Sequence, residues 1–182
     1  MLDQETRTWL TALARRTVDA AARGSAAPRD EPEAVPAGAR QARGGFVTLT
    51  LHGDLRGCIG EIFPRRELWR VVREQAVNAA VNDPRFPPLT PSEAPRVRIE
   101  ISALTLPAPA ASWRDIILGR HGIVIEKQGR SAVFLPQVPG EQGWDLATTL
   151  GHLSLKAGLP SDAWRRDARF LVFEAEVFGE GK

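Results

Sequence analysis

Two hydrophobic rhythms run through these 182 residues, and their irregular order constrains the fold more than any other feature. Apolar residues recur at helical spacing over 3–22, about 66–82 and about 145–157, and at every second position over 45–51, 96–104 and 169–178. Helical and extended stretches do not alternate one for one, which argues against a doubly wound parallel sheet. The class expected is α+β, a mainly antiparallel sheet flanked by helices.

The first helix carries Trp9, Leu10, Leu13, Thr17, Ala20 and Ala21 on one stripe, with Asp3 placed to cap its free N–H groups. The second carries Leu68, Val71, Val72, Gln75, Ala76, Ala79 and Ala80, and Pro84 stops it. In the third, Asp145 caps the start and Gly158 the end of a stripe of Leu146, Leu150, Leu153 and Ala157. Among the strands, Phe46, Leu49 and Leu51 alternate with threonines, and His52-Gly53-Asp54 turns the chain back into Leu55–Ile62. Val97, Ile99 and Ile101 oppose Arg98, Glu100 and Ser102. The last strand is expected to put Leu171, Phe173, Ala175 and Val177 on one face. A short helix is expected to begin at Ser112, and a hairpin over 122–135 to turn at Gln128-Gly129-Arg130. Residues 24–44 lack periodicity and read as a loop or linker, and five prolines between Pro84 and Pro95 exclude regular structure there.

The length favours one domain, residues 1–182, large enough to bury a stable core. A single cysteine excludes an internal disulfide and fits a reducing compartment. The acidic start Met1-Leu2-Asp3-Gln4-Glu5 does not resemble a secretory leader, and no apolar run would span a membrane. The cytoplasm is the expected location. All but three of the 24 basic residues are arginine, yet the net charge is only +2. GC-rich codon supply explains that usage better than nucleic-acid binding, since so small an excess gives little long-range steering.

Chemistry concentrates at Leu55-Arg56-Gly57-Cys58-Ile59-Gly60. Gly57 and Gly60 inside a strand signal a bulge or the close approach of another group. In a regular strand Arg56 and Cys58 share a face, and a neighbouring guanidinium raises a cysteine's thiolate fraction. That suits a nucleophile or an anion site. The competing reading is a buried cysteine acting as a small hydrophobe. Asp83-Pro84-Arg85-Phe86 supplies either an arginine clamp for an anion or a helix stop with a local ion pair. Glu100 is either a proton acceptor beside Cys58, a support for Arg56, or a solvent-facing residue of the alternating strand. His52, His121 and His152 lack ligand spacing, so no metal is expected; no phosphate loop, dinucleotide fingerprint or Ser-His-Asp order is present, so no cofactor is expected either. Trp113, Trp144 and Trp164 read as core anchors rather than stacking platforms.

Leu55–Gly60 resembles the hallmark of the AMMECR-type domain. Further matches follow in the family's order: Asp83-Pro84-Arg85-Phe86, Ile99-Glu100-Ile101-Ser102, His121-Gly122-Ile123, Phe134-Leu135-Pro136-Gln137-Val138, Trp144-Asp145 and Lys156-Ala157-Gly158-Leu159. The resemblance covers about residues 3–178. It implies a larger subdomain holding both termini, a smaller one packed on it, and a cleft around the Arg-Gly-Cys segment. It also implies work alongside Memo-like and radical-SAM proteins. Ser154 stands where relatives often have a second cysteine.

The function expected is therefore an enzyme or enzyme component acting on a small anionic substrate or modifying a macromolecule. Cys58 would be nucleophile or redox centre, and Glu100 or His121 would move protons. Arg56, Gly57, Gly60, Arg85 and Ser102 would line the substrate site. The alternative is a non-catalytic adaptor whose cleft receives a peptide or nucleic-acid segment.

Overall fold

A computed structural model describes residues 1–25 and 35–181. Its residue contacts divide the chain into two units: Met1–Leu104 with Glu176–Lys182, and Thr105–Ala175. The first unit holds both chain ends, and the chain crosses between units only after Leu104 and after Ala175. Among the described residues there are four α-helices and two four-stranded antiparallel sheets, an α+β architecture. No helix of the described residues is long and apolar enough to cross a membrane.

In the first unit, α1 (Gln4–Ala22) begins where the Asp3 carboxylate accepts the Thr6 N–H at 2.7 Å. It buries Leu10, Leu13, Ala14 and Val18. Strand β1 (Gly45–Leu51) pairs with β2 (Asp54–Glu61) on one side and β3 (Val97–Leu104) on the other, and β8 (Ala175–Gly179) completes the order β2-β1-β3-β8. The alternation expected of β3 holds, with Ile99 and Ile101 facing α1 and α2 (Leu68–Val77); in β1 it is Val47 and Leu49 that join this core, while Phe46, expected beside Leu49, lies on the opposite face. Residues 26–34 of the expected 24–44 loop lie outside the described residues. Within them, Ala37–Arg40 forms a 3-10 turn and Ala42 bridges Glu67.

The second helix does not run regularly to its end. After Val77 the chain widens into a π-helical turn, Asn78–Asn82, before Asp83 turns extended. The sequence signalled the stop at Pro84 but not this change of winding.

In the second unit the sheet order is β4-β7-β5-β6, from β4 (Ala108–Ala110), β5 (Gly122–Lys127), β6 (Arg130–Phe134) and β7 (Arg169–Phe173). Gln128 and Gly129 make the hairpin turn, both at positive φ, the pairing a type I′ turn demands. After α3 (Val138–Gln142), α4 (Leu146–Lys156) follows its Asp145 cap and lays Leu150 and Leu153 against Ile123, Ile125 and Phe170. Ser112 caps a 3-10 turn, Trp113–Asp115, rather than an α-helix.

One expectation is corrected. The final strand is two strands in two sheets, broken at Glu174. Phe170 and Val172 face the second core and Phe178 packs on the first, whereas Val177 is half exposed. The run Phe170-Leu171-Val172-Phe173 is apolar at both parities, so period two could not choose a face. Trp164 is buried against the edge of Trp113 as expected, but Trp144 is only partly buried and stacks on exposed His152 at 4.1 Å.

Candidate functional site

Cys58 sits on β2, an edge strand, and pairs across to Thr48 of β1, which pairs in turn with Glu100 of β3. These three side chains form one row on the sheet face opposite the apolar core. Cys58 is partly exposed, and the Thr48 hydroxyl donates to its sulfur at 3.3 Å. Glu100 lies two strand spacings from Cys58, about 10 Å, so Thr48 stands between them. Ser102 shares this face one row along, opposite Phe46, but is buried.

The backbone of Cys58 turns its N–H and C=O outward, to the free edge of the sheet. There the Asp83 carboxylate accepts the N–H at 2.9 Å and the Arg85 guanidinium donates to the C=O at 2.9 Å. An aspartate–arginine pair thus occupies the place a neighbouring strand would take. Asp83 also accepts from Arg85 Nε at 2.9 Å and Nη2 at 2.7 Å, and from the Arg85 N–H at 3.1 Å. The guanidinium bonds, aided by the two backbone N–H groups, hold this almost fully buried carboxyl far below the usual carboxylate range, although burial opposes them. Arg85 itself is raised, chiefly by Asp83, and remains half exposed. No bond engages its Nη1 among the described residues.

Gly57 explains how Asp83 comes to this edge. A Cβ built on Gly57 would lie 2.1 Å from the carbonyl oxygen of Ala79, so only glycine lets the π turn lie against β2. The extra winding of Asn78–Asn82 then delivers Asp83 at the level of Cys58. Gly60 serves a second close approach: the Phe46 ring lies 2.3 Å from where its Cβ would be.

Arg56 departs from the regular strand assumed in the sequence analysis. Leu49 pairs with Gly57 and Thr50 with Leu55, which leaves Arg56 as the extra residue of a bulge. Its guanidinium binds Glu93 through Nε at 3.1 Å and Nη2 at 3.2 Å, and the carbonyls of Pro87 at 3.0 Å and Pro88 at 3.5 Å. With its side chain 11% exposed, it fastens the proline-rich loop to β2. Glu93 is brought down to about 2, first by Arg56 and then by the Thr90 N–H and hydroxyl.

The first unit therefore brings together Cys58, Glu100, Arg85, Gly57 and Gly60, with Ser102 buried nearby on the same face and Arg56 turned to the loop. His121 belongs to the second unit, where its Nδ1 accepts the Ile117 N–H at 3.1 Å, which leaves the proton of the neutral ring on Nε2. Sequence reasoning missed two partners of the cysteine, Thr48 and the buried role of Asp83. The Asp-Pro-Arg spacing was the available signal for the second; nothing local marked the first. Ser154 is buried and returns its hydroxyl to the Leu150 carbonyl at 2.8 Å. Among the described residues no three His, Cys, Asp or Glu side chains gather as a metal site.

The chain is similar to known proteins in sequence and in fold. A Methanopyrus kandleri protein, MK0488, is 47% identical over 148 residues, 76% of this chain and 72% of its own length. A Thermococcus onnurineus protein is 40% identical over 183 residues, covering 94% of this chain and 89% of that one. The crystal structure of the uncharacterised protein PH0010 from Pyrococcus horikoshii superposes with a TM-score of 0.87 at 35% identity, over 97% of this chain and 92% of its own. The AMMECR1 family model matches residues 11–178, a span that takes in the Cys58 row, its Asp83–Arg85 clamp and both sheets: the chain belongs to the AMMECR1 family.

Proposed function

We propose that this protein is an enzyme, or the thiol-bearing component of one, in which Cys58 is the reactive group presented to a substrate carrying an anionic group. One observation supports the reading above others. Cys58 is a partly exposed residue on the face away from the core, its backbone N–H and C=O are both held by a charged pair, and its Sγ accepts a hydroxyl. A cysteine retained for packing in the apolar core would face inward with Val47 and Leu49. Arg85, half exposed with Nη1 uncommitted, receives the anionic group. Arg56 acts indirectly, by fixing the loop that carries Arg85. Glu100, about 10 Å along the row, accepts a proton from the far side of a bound substrate. These first-unit residues suffice for the reading, and His121 is not required. Memo-like and radical-SAM proteins, implied by the family resemblance, are the proposed co-workers, and co-purification with the tagged chain tests them.

The chemical test is alkylation by iodoacetamide, followed by mass spectrometry, with Cys58→Ser as the blank. Native protein should be modified at least as fast as protein unfolded in urea. Modification that occurs only after unfolding would leave the non-catalytic adaptor as the better account.

A further inference from the structure

The free edge of β2 is closed at one rung and open at the next. Register and bonding fix which backbone groups point outward. The Cys58 N–H goes to Asp83 and its C=O to Arg85, so Cys58 and Thr48 are a pair that exchanges no backbone bonds within the ladder. Two residues on, Gly60 pairs with Phe46 in the same unbroken register, and its N–H and C=O therefore point outward as well. Neither group has a hydrogen-bond partner among the described residues, and Gly60 is partly exposed.

The closed rung turns its positive member toward the open one. Along β2 the outward groups come in the order Cys58 N–H, Cys58 C=O, Gly60 N–H and Gly60 C=O. Asp83 holds the first and the Arg85 guanidinium the second, at 2.9 Å each, so the guanidinium stands on the Gly60 side of the carboxylate. Asp83 is almost fully buried and spends its two oxygens on the Cys58 N–H and on three N–H groups of Arg85. What an incoming molecule meets is the half-exposed guanidinium with its uncommitted Nη1. An extended segment laid on the Gly60 rung cannot continue along the edge, because the next rung, about 7 Å away, is taken. It has to end or leave the sheet at Arg85. Of the two ends of a polypeptide, the ammonium repels a guanidinium and the carboxylate pairs with it.

Resting on the proposed role of Cys58 and Arg85, we infer that the substrate class of this site is a peptide with a free C-terminus, added as a short strand to the edge of β2. β2 runs from Asp54 to Glu61, so a chain that arrives from the Glu61 side and ends beside Cys58 is antiparallel to it. Its penultimate residue exchanges both backbone bonds with Gly60, and its terminal carboxylate lies on Arg85. Main-chain pairing of this kind reads an extended backbone, and the guanidinium reads the chain end.

Fluorescence anisotropy with the pentapeptide Ala-Thr-Val-Thr-Val, labelled with rhodamine at its N-terminus, tests the assignment. The titration uses the full chain and its Cys58→Ser variant; the variant has no thiol, so docking is read apart from reactivity and the alkylation test can fail without this one. Saturable binding is expected with Kd at or below about 1 mM. The C-terminal amide of the same peptide should bind roughly tenfold more weakly or worse, and Arg85→Gln should reduce the free acid to the level of the amide. Methylating the backbone nitrogen of the penultimate residue removes the donor offered to the Gly60 C=O and should weaken binding to a similar extent. Methylation one residue earlier, where the N–H points away from β2, should leave it unchanged. These peptide comparisons leave the protein unaltered and do not depend on how Arg85→Gln folds. Equal affinity for acid and amide, equal affinity for the two methylated peptides, or no saturable binding up to about 1 mM protein overturns the assignment.

Discussion

Replacing the Asp83 carboxylate by an amide removes the charge on which the Arg85 bonds and the Cys58 contact both depend. One amide oxygen can still accept the Cys58 N–H, but the other position becomes an NH2 facing the Arg85 donors, so the cost falls on the lost guanidinium bonds and a buried amide donor without an acceptor. Asp83→Asn should cost about 1–3 kcal/mol in urea unfolding. Its pH dependence carries a definite sign. Asp83 and Glu93 both have folded values below their unfolded ones, so their stabilisation is complete above the unfolded carboxylate range. It is lost as pH falls, for Glu93 between its ordinary value and about 2. The melting temperature of the native chain should therefore drop steeply below about pH 5. Glu93→Gln should start lower and fall less over that interval. Equal slopes in the two proteins would show that the Arg56–Glu93 pair does not contribute to the acid limb.

At the level of the element, the meeting of β2 with the π turn is the critical joint. Gly57→Ala places a methyl group inside the Ala79 carbonyl contact and must displace backbone rather than a flexible side chain. It should destabilise by about 2–4 kcal/mol and raise hydrogen exchange selectively over 78–83. Gly53→Ala, in open space, would be penalised only through its positive φ. Much at this scale could be read in advance. The caps at Asp3 and Asp145, the alternation of Val97, Ile99 and Ile101, and the Gln128-Gly129 turn all follow from local rules that tertiary contacts did not override. Glycines in Leu55–Gly60 did announce close approach, but not what approached. The Arg56 anchor and the Asp83 clamp rest on bonds 37 and 25 residues apart in sequence, and the π turn rests on the approach of Ala79 to Gly57. No window of periodicity contains them.

At the scale of the molecule, the described residues build two cores, each within its own unit: Leu10, Val47, Ile99 and their neighbours in one, Ile125, Leu150, Phe170 and theirs in the other. Leu150 is fully buried, and Leu150→Ala should cost about 2–5 kcal/mol. Amide exchange should rise first over β5, β6 and α4, while β1 and β3 keep their protection. Uniform loss across both sheets would instead show that the two cores melt as one. The clamp on β2 has a final consequence, for solubility. An edge strand with an unsatisfied rung is a template on which another molecule's strand can add, and charged side chains are a common natural defence. Asp83 and Arg85 cover such a rung at Cys58. Stored at high concentration, Asp83→Asn should scatter more light and seed fibrillar association that the parent chain resists.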